Sequence, residues 1–361
     1  MSETALSQSA IYSARPTVRI AGEADARITE LVMAMRMEEH EGGMSSLEMR
    51  FSNLASTTNG GAELAFDANS KLKLGADIAI YSGDATQPRE IFRGKVTAME
   101  LEYKIGSGPE LTVLAEDALS VARRARRSRI YTDKSPADVV RTIASDQGLR
   151  PVLSGLDGPR ATWAQLNESD LSFLRRLLGC FDADVQIVGE ELQVSPRKDV
   201  SRGTLELALF GQLAKVRVTA DLADQVSKIT ACGWNAKDGA KVTGEAGSGT
   251  HLGPGSGRDG KAVLEEALES RAEHLGHVAV GTDAEAQAVA EAAFDLRARR
   301  FVRAEGTAEG NPLLRVGTNV NLTGISPQFD NTYYVVRACH LYDLRQGYRT
   351  DFSAECAYLG N

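Results

Sequence analysis

Short runs of alternating or clustered apolar residues dominate both ends of the chain, and they predict β-strands. Between Thr17 and about Val121, Gly- and Pro-containing turns separate these runs, and residues 96–104 and 110–115 flank one such turn as a hairpin. Near the C-terminus, every second residue of 348–358 is apolar, the pattern of a half-buried strand. Many short strands punctuated by turns favour a barrel or a sandwich.

The middle of the chain has a helical period instead. Ser135 is placed as an N-cap, with Asp138 three residues later and an apolar stripe after it. A second helix, rich in leucine on one face, is predicted to begin near Asn167, and a tight hairpin is predicted to turn at Gly189. Residues 130–200 therefore indicate a small α+β domain.

Strand patterns return after residue 200 and are interrupted by a Gly-rich stretch. The strands are predicted at Thr204–Leu209, Ala214–Thr219 and Val226–Gly233, and residues 239–260 are predicted to form a long loop. Two helices should follow, one over about 262–275 and one from the capping-box pair Thr282 and Glu285 to about Arg300.

Composition narrows the class of protein. A length of 361 residues suggests two to four domains, and 42% hydrophobic with 25% charged residues is typical of a soluble globular chain. A net charge of -8 disfavours generic nucleic-acid binding. No signal peptide and no apolar run of membrane-spanning length is present, so we expect synthesis and folding in the cytoplasm. The four cysteines have no CxxC spacing, which favours reduced thiols: Cys180, Cys232, Cys339 and Cys356.

One segment is close to a nucleotide-binding loop. Gly255, Gly260 and Lys261 have P-loop spacing, and a helix is predicted to follow. Ala262 stands where a Ser or Thr should bind magnesium, and no apolar strand leads into the loop. A mobile surface loop is therefore favoured over a nucleotide-dependent enzyme, which stays as the weaker alternative.

Metal and catalytic motifs do not stand out. His274 and His277 lie close together without an HExxH pattern, and His340 falls inside a strand pattern, where a packed or interface role is favoured over a catalytic one. The other two histidines are His40 and His251. We therefore predict no catalytic residue, no metal site and no cofactor.

A dense basic run is the remaining candidate site. Its members are Arg123, Arg124, Arg126, Arg127 and Arg129. Contact with phosphate or nucleic acid is one interpretation. A solvated face or an ion-paired subunit interface is favoured, because no aromatic residues that could stack on bases are interleaved with the arginines.

Residues 165–177, QLNESDLSFLRRL, resemble the Q-x-N-E-S-D-x-x-F-L-x-R segment of the phage late control protein D family. That family includes tail hub proteins and the N-terminal part of VgrG spike proteins. The helix start at Ser135–Val140 is similar as well, and so are Leu314–Gly317 and Tyr333–Val336 near the C-terminus. The resemblance extends over residues 15–360.

The resemblance implies a mainly β fold with α+β parts, built from two tail-tube-like β-barrels. The resemblance places a first barrel at 15–125 and a second barrel at 203–240 with 305–361. The residue patterns add a flexible N-terminus (1–14), an α+β domain (126–202) and a Gly-rich loop with a helical insertion (241–304), and this insertion is not matched to the family pattern.

The function implied by the resemblance is architectural and not enzymatic. Hubs of this family form homotrimers whose six barrels adapt a six-fold inner tube to a three-fold central spike. The implied partners are the inner tube protein, the spike and other baseplate proteins, without a membrane span or sequence-specific nucleic acid. The chain should assemble in the cytoplasm and leave the cell with the tail particle. Because the sequence ends at Asn361 after its last predicted strand, we expect the spike to be a separate chain. A VgrG-like spike base that loads effectors is the alternative.

Overall fold

The computed structural model describes residues 15–56, 61–67, 70–83, 88–276 and 278–360. The predicted flexible N-terminus, residues 1–14, lies outside this part of the chain. The fold is mainly β with small helical parts, as the sequence predicts.

The first β-rich part, called module one, consists of seven strands of the main sheet, a small side hairpin and one short helix. The bounds are Thr17–Ile20 (β1), Glu23–Ala24 (β2), Ala26–Glu30 (α1), Val32–His40 (β3), Ser46–Ser52 (β4), Leu54–Ser56 (β5), Ala62–Leu64 (β6), Asp77–Ser82 (β7), Arg89–Glu102 (β8) and Glu110–Glu116 (β9). The β5–β6 pair is the side hairpin.

The α+β unit follows module one. Its elements are a 3-10 helix Ala118–Arg123, Arg126–Lys134 (β10), Pro136–Asp146 (α2), Arg150–Leu153 (β11), Ala161–Ser169 (β12), Asp170–Gly179 (α3), Ala183–Val188 (β13), Glu191–Pro196 (β14) and a 3-10 helix Arg197–Asp199. Ser135 and Asp138 form the predicted capping box of α2. Helix α3 begins at Asp170 with Ser169 as N-cap, later than predicted, because Asn167 still belongs to β12.

Module two is the second β-rich part, and an insertion unit interrupts it. Module two comprises Thr204–Ala208 (β15), Leu213–Ala220 (β16), Val302–Glu309 (β21), Asn319–Thr323 (β22), Asn331–Asp343 (β23) and Gly347–Cys356 (β24). The insertion unit comprises Lys228–Asn235 (β17), Ala240–Ala246 (β18), Arg258–Asp259 (β19), Gly260–Ala267 (α4), Ala272–Leu275 (β20) and Asp283–Arg299 (α5), and Tyr358–Leu359 (β25) pairs with β19.

The insertion unit corrects three expectations. Strand β17 does not join module two; it pairs with β18 and β20 under α5, so the insertion starts well before the predicted residue 241. The predicted 239–260 loop contains strand β18. The predicted helix over 262–275 ends at Ala267, and residues 272–275 pair in parallel with β17. Helix α5 has the predicted Thr282–Glu285 capping box.

The two modules share one 13-stranded sheet, because β3 of module one pairs with β23 of module two. The strand order is β16-β21-β24-β23-β3-β4-β9-β8-β7-β1-β2, with β22 on β23 and β15 on β22. All these pairs are antiparallel except β15–β22. Each module nevertheless has its own hydrophobic core, and the α+β and insertion units have one each.

The strand path is the same in both modules. It runs β1-β7-β8-β9-β4-β3 in module one and β15-β22-β23-β24-β21-β16 in module two. With the two-residue strand β2 and the side hairpin β5–β6 left out of the count, both paths read first, fourth, fifth, sixth, third, second along the chain of each module. The direction of the first strand is the one difference, since β1 is antiparallel to β7. The modules are therefore two versions of one six-stranded design.

A shared turn precedes the fourth strand of each module. Gly75 before β7 has φ +79°, and Gly317 before β22 has φ +87°, a left-handed conformation that favours glycine. Gly75 donates its N–H to the Val96 carbonyl at 2.8 Å, and Gly317 donates to the Val335 carbonyl at 3.0 Å. The same backbone contact is thus made twice.

Candidate functional site

The predicted basic run lies where module one meets the α+β unit. Arg127 and Arg129 extend from β10 toward helix α2, where Asp146 pairs with both guanidinium groups. Arg127 also lies 3.6 Å from the buried Asp170 at the start of α3. These two arginines therefore have carboxylate partners inside their own unit.

The other three members of the run are more exposed. Arg123 pairs with Glu116 at the end of β9, and Arg126 donates to the Asn167 carbonyl at 3.2 Å. Arg124 is exposed. The run thus divides its contacts among β9, β12, α2 and α3, and its role as a subunit interface stays a prediction.

The segment with P-loop spacing does not have P-loop geometry. The strand before helix α4 is only Arg258–Asp259, and it runs antiparallel to β25. Asp259 caps the helix by accepting from the Ala262 N–H at 2.7 Å, so a negative charge occupies the place of a phosphate. Lys261 donates to the Gly247 carbonyl at 2.5 Å. The nucleotide-binding alternative gains no support from this arrangement.

The described histidines do not form a metal site. His40 lies 3.2 Å from Glu38, and His274 contacts the Thr230 hydroxyl at 3.0 Å. His277 lies outside the described residues. Within the part of the chain that the structure describes, no group of three or more His, Cys, Asp or Glu could hold a metal ion. In the same part, no helix is long and apolar enough to cross a membrane.

The β3–β23 junction joins the two modules through a strand ladder. Seven directly opposed pairs, from Arg337↔His40 to Asp343↔Ala34, hold the two strands together. Arg337 donates to Glu38 across the junction at 2.6 Å. The junction thus combines a strand ladder with a cross-strand ion pair.

A buried ion pair lies beside this ladder. Glu39 of β3 is only 4% exposed and accepts from Arg315 Nε at 2.8 Å and from the Val316 N–H at 2.7 Å. Burial alone would raise the pKa of Glu39, but the charge and hydrogen bonds of Arg315 outweigh it and hold that pKa below its ordinary value. Glu39 is therefore a charged anchor between module one and the loop before β22.

Two aromatic contacts extend the junction into the cores. Tyr342 of β23 packs in the core of module one although it belongs to module two. His340 is fully buried and contacts the Tyr348 hydroxyl through Nδ1 at 2.7 Å. Burial lowers the pKa of His340 to about 3, with the nearby Arg315 adding to the shift, so the ring is neutral at pH 7. These properties fit the predicted packing role of His340.

A second ionic cluster lies where the α+β unit meets both modules. Arg197 contacts Glu41 at 2.9 Å and Glu355 at 3.3 Å. Burial raises the pKa of Glu41 to about 7, and the neighbouring Asp184 and Glu355 add to this shift, although Arg197 opposes it. Glu41, Asp184 and Arg197 line a cleft of 870 Å³ between α3 and α5.

A short internal repeat in the sequence marks equivalent positions of the two modules, and it lies outside the motifs considered above. Leu72–Gly75 reads LKLG and Leu314–Gly317 reads LRVG, and the two segments lead into equivalent strands β7 and β22. A search for short internal repeats would have aligned the two modules. Glu39 itself carries no such signal, because its partner is distant in the sequence.

Comparison with family models gives a match over most of the chain. The family model described as the Alg8 N-terminal domain matches residues 56–343. No curated protein matches the sequence at a significant level.

Solved structures of tail proteins are similar over nearly the whole chain. The prophage MuSo2 43 kDa tail protein from Shewanella oneidensis has a TM-score of 0.68 and 11% identity, over 94% of this chain and 97% of that one. A tail protein from Neisseria meningitidis MC58 has a TM-score of 0.66 and 11% identity, over 94% and 96%. An E. coli component of the type VI secretion system has a TM-score of 0.57 and 15% identity, over 95% and 78%. At these identities the similarity shows the fold.

Proposed function

The chain belongs to the Alg8 N-terminal domain family, and from its fold we propose that it is a structural hub of a contractile phage tail or a related injection machine. The single observation that carries the proposal is the pair of modules with one strand path, joined edge to edge. A closed ring of identical chains needs matched edges that repeat around it, and two modules of one design supply such edges.

The proposed assembly is a homotrimer. Three chains with two modules each would supply six similar modules around a ring. Such a ring fits a six-fold inner tube on one side and a three-fold spike on the other. The proposed partners are therefore a tube protein, a spike and other baseplate proteins, in a particle assembled in the cytoplasm.

The structural neighbours support this class of function. Two of them are tail proteins, and the E. coli neighbour is described as similar to bacteriophage T4 tail proteins. The finer assignment to the late control protein D family rests on residues 165–177 and belongs to the proposal.

Native mass spectrometry of the purified full chain, with negative-stain microscopy, tests the proposal. We expect a species of three chains and ring-shaped particles with six lobes. Monomer at every concentration, with and without added tube and spike proteins, would contradict a hub.

The enzyme alternative has its own test. We expect no ATP binding to the full chain at micromolar concentrations. Micromolar binding that disappears in Lys261→Ala would favour a nucleotide-dependent protein instead.

A further inference from the structure

The β3–β23 junction uses one edge from each module, and in the part of the chain that the structure describes the equivalent edges have no partner strand. In module two, residues 331–334 of β23 pair with β22, and residues 337–343 pair with β3. In module one, the equivalent β8 pairs with β7 only over residues 89–95. Within the described residues, the rest of β8 pairs on one side only, with β9. Strand β16, the equivalent of β3, pairs with β21, and its other edge has only an isolated bridge between Leu213 and Leu209 at its start.

The two junction strands match their counterparts residue by residue. Strand β8 has a bulge between Val96 and Ala98 where it pairs with β9, and β23 has one between Val335 and Arg337 where it pairs with β24. Counting from these bulges makes Leu101 equivalent to His340 and Tyr103 equivalent to Tyr342.

The other pair of strands matches in the same way. Strand β3 has a bulge between Val32 and Ala34, and β16 has one between Leu213 and Lys215. Counting from these bulges gives three equivalences, which are Met35 with Val216, Arg36 with Arg217, and Met37 with Val218.

Side chains at the unpaired edge of module one are more exposed than their equivalents at the β3–β23 junction. Tyr342 is 7% exposed and His340 is 0% exposed at the junction, whereas their equivalents Tyr103 and Leu101 are 63% and 49% exposed. Beside them, Leu74 is 64% exposed, although its equivalent Val316 is fully buried. Three side chains that the internal junction buries are thus matched by three exposed apolar side chains.

We propose that β8 of one chain pairs antiparallel with β16 of a second copy of the same chain, repeating the β3–β23 junction between subunits. This inference rests on the proposed ring and names the surfaces that close it. The register follows from the equivalences: Leu101 faces Val218, Glu102 faces Arg217, and Tyr103 faces Val216.

The side chains fit this register. Val216 and Val218 are partly buried and already pack against the core of module two, so Tyr103 would extend that core as Tyr342 extends the core of module one. Glu102 and Arg217 are both exposed and have opposite charges. Lys104 would face Lys215 at the outer end of the ladder, where both side chains are exposed and water screens the repulsion.

Cysteine cross-linking tests the register. The Glu41 N–H donates to the Val336 carbonyl at 2.9 Å, so these two residues form a hydrogen-bonded pair. Hydrogen-bonded and non-hydrogen-bonded pairs alternate along an antiparallel ladder, and Arg36 with Leu341 is therefore a non-hydrogen-bonded pair. Its intersubunit equivalent, Glu102 and Arg217, should have Cα atoms about 4.5 Å apart, within disulfide range. The full-length variant Glu102→Cys/Arg217→Cys would be oxidised and run on a non-reducing gel, with Cys180→Ser and Cys232→Ser in the background.

A matched control separates register from general proximity. Glu102→Cys/Thr219→Cys places the second thiol two residues away on the same face, about 7–8 Å from its partner, which is too far for a disulfide. We expect cross-linked dimers and trimers in the first variant and at least tenfold less cross-linked product in the control. Equal cross-linking of both variants would overturn the register.

Native mass spectrometry of the uncross-linked parent separates the two proposals. A trimer whose Glu102→Cys/Arg217→Cys variant does not cross-link overturns the β8–β16 pairing and leaves the hub intact. A parent that is monomeric under all conditions overturns both proposals.

Charge exchange provides a second measurement without cysteines. Glu102→Arg should raise the concentration for half-maximal trimer formation about fivefold, because it places two arginines opposite each other. Adding Arg217→Glu should restore the trimer. If the two substitutions instead weakened trimer formation additively, direct pairing of these residues would be contradicted.

Discussion

Glu39 and Arg315 show how a single buried pair can hold two modules together. The carboxylate is almost fully buried, and its bonds go to Arg315 and to the Val316 backbone, both in module two. Breaking a buried pair leaves an uncompensated charge, which costs more than losing an exposed pair. The orientation of the modules therefore depends strongly on this residue.

Arg315→Ala should lower the free energy of unfolding by about 3 kcal/mol, because Glu39 would be left buried and unpaired. Urea denaturation measures the change. Lys95→Ala is the matched control, since its pair with Asp77 is exposed and should contribute less than about 1 kcal/mol. Equal effects of both substitutions would mean that Glu39 is hydrated.

Glu41 should make the unfolding free energy depend on pH. Its folded pKa of about 7 lies above its ordinary value of 4.5, so the folded chain binds this proton more tightly. The stability that it contributes is therefore present at about pH 4.5 and lost as the pH rises through 7. Glu41→Gln mimics the protonated form. As the pH rises from 5 to 8, its unfolding free energy should increase relative to that of the wild type by on the order of 2 kcal/mol. The difference between the two proteins isolates Glu41, because all other groups are common to both. A constant difference across this range would contradict the raised pKa.

At the scale of elements, caps and alternation are what the sequence predicts best, because both are local. Ser135 and Thr282 cap α2 and α5 as predicted, and residues 347–356 alternate as a half-buried strand. Residues 272–275 were predicted as helix, yet they form a strand that pairs with the edge of β17. Tertiary pairing of this kind overrides local propensity and cannot be read from a window of sequence.

The capping box of α5 gives a prediction at this scale. Thr282→Ala should lower the unfolding free energy by about 1 kcal/mol, because the Glu285 N–H would lose its acceptor. Thr282→Ser keeps the hydroxyl and should change it by only a few tenths of a kcal/mol. Thermal denaturation of the two variants decides, and equal melting temperatures would show that the cap is not needed.

For the whole molecule, the sequence predicted two β-rich ends but not how they join. The β3–β23 ladder connects residues about 300 positions apart, and no composition or periodicity marks it. The predicted start of the insertion at residue 241 was wrong for the same reason, since the strand pattern of β17 does not show which strand it pairs with. The basic run was found as a cluster, but its carboxylate partners come from distant elements.

Amide hydrogen exchange should distinguish internal from external edges. The amides of β3 and of residues 337–343 should stay protected in the isolated chain, because the junction pairs them. Amides of β16 and of residues 98–102 that point away from their single partner strands should exchange at least tenfold faster, and slow down on assembly. Uniform protection of both sets in a monomer would contradict the unpaired edges.

The paired bulges also limit how such a chain can change. Side chains alternate along a strand, so one residue gained between the bulge and the end of β8 would turn Leu101 and Tyr103 to the opposite face. The alternation of side chains therefore fixes the number of residues between each bulge and the end of its strand. The length of the chain can vary only in the connections between strands. The side hairpin β5–β6 and the whole insertion unit indeed lie in such connections, between β4 and β7 and between β16 and β21.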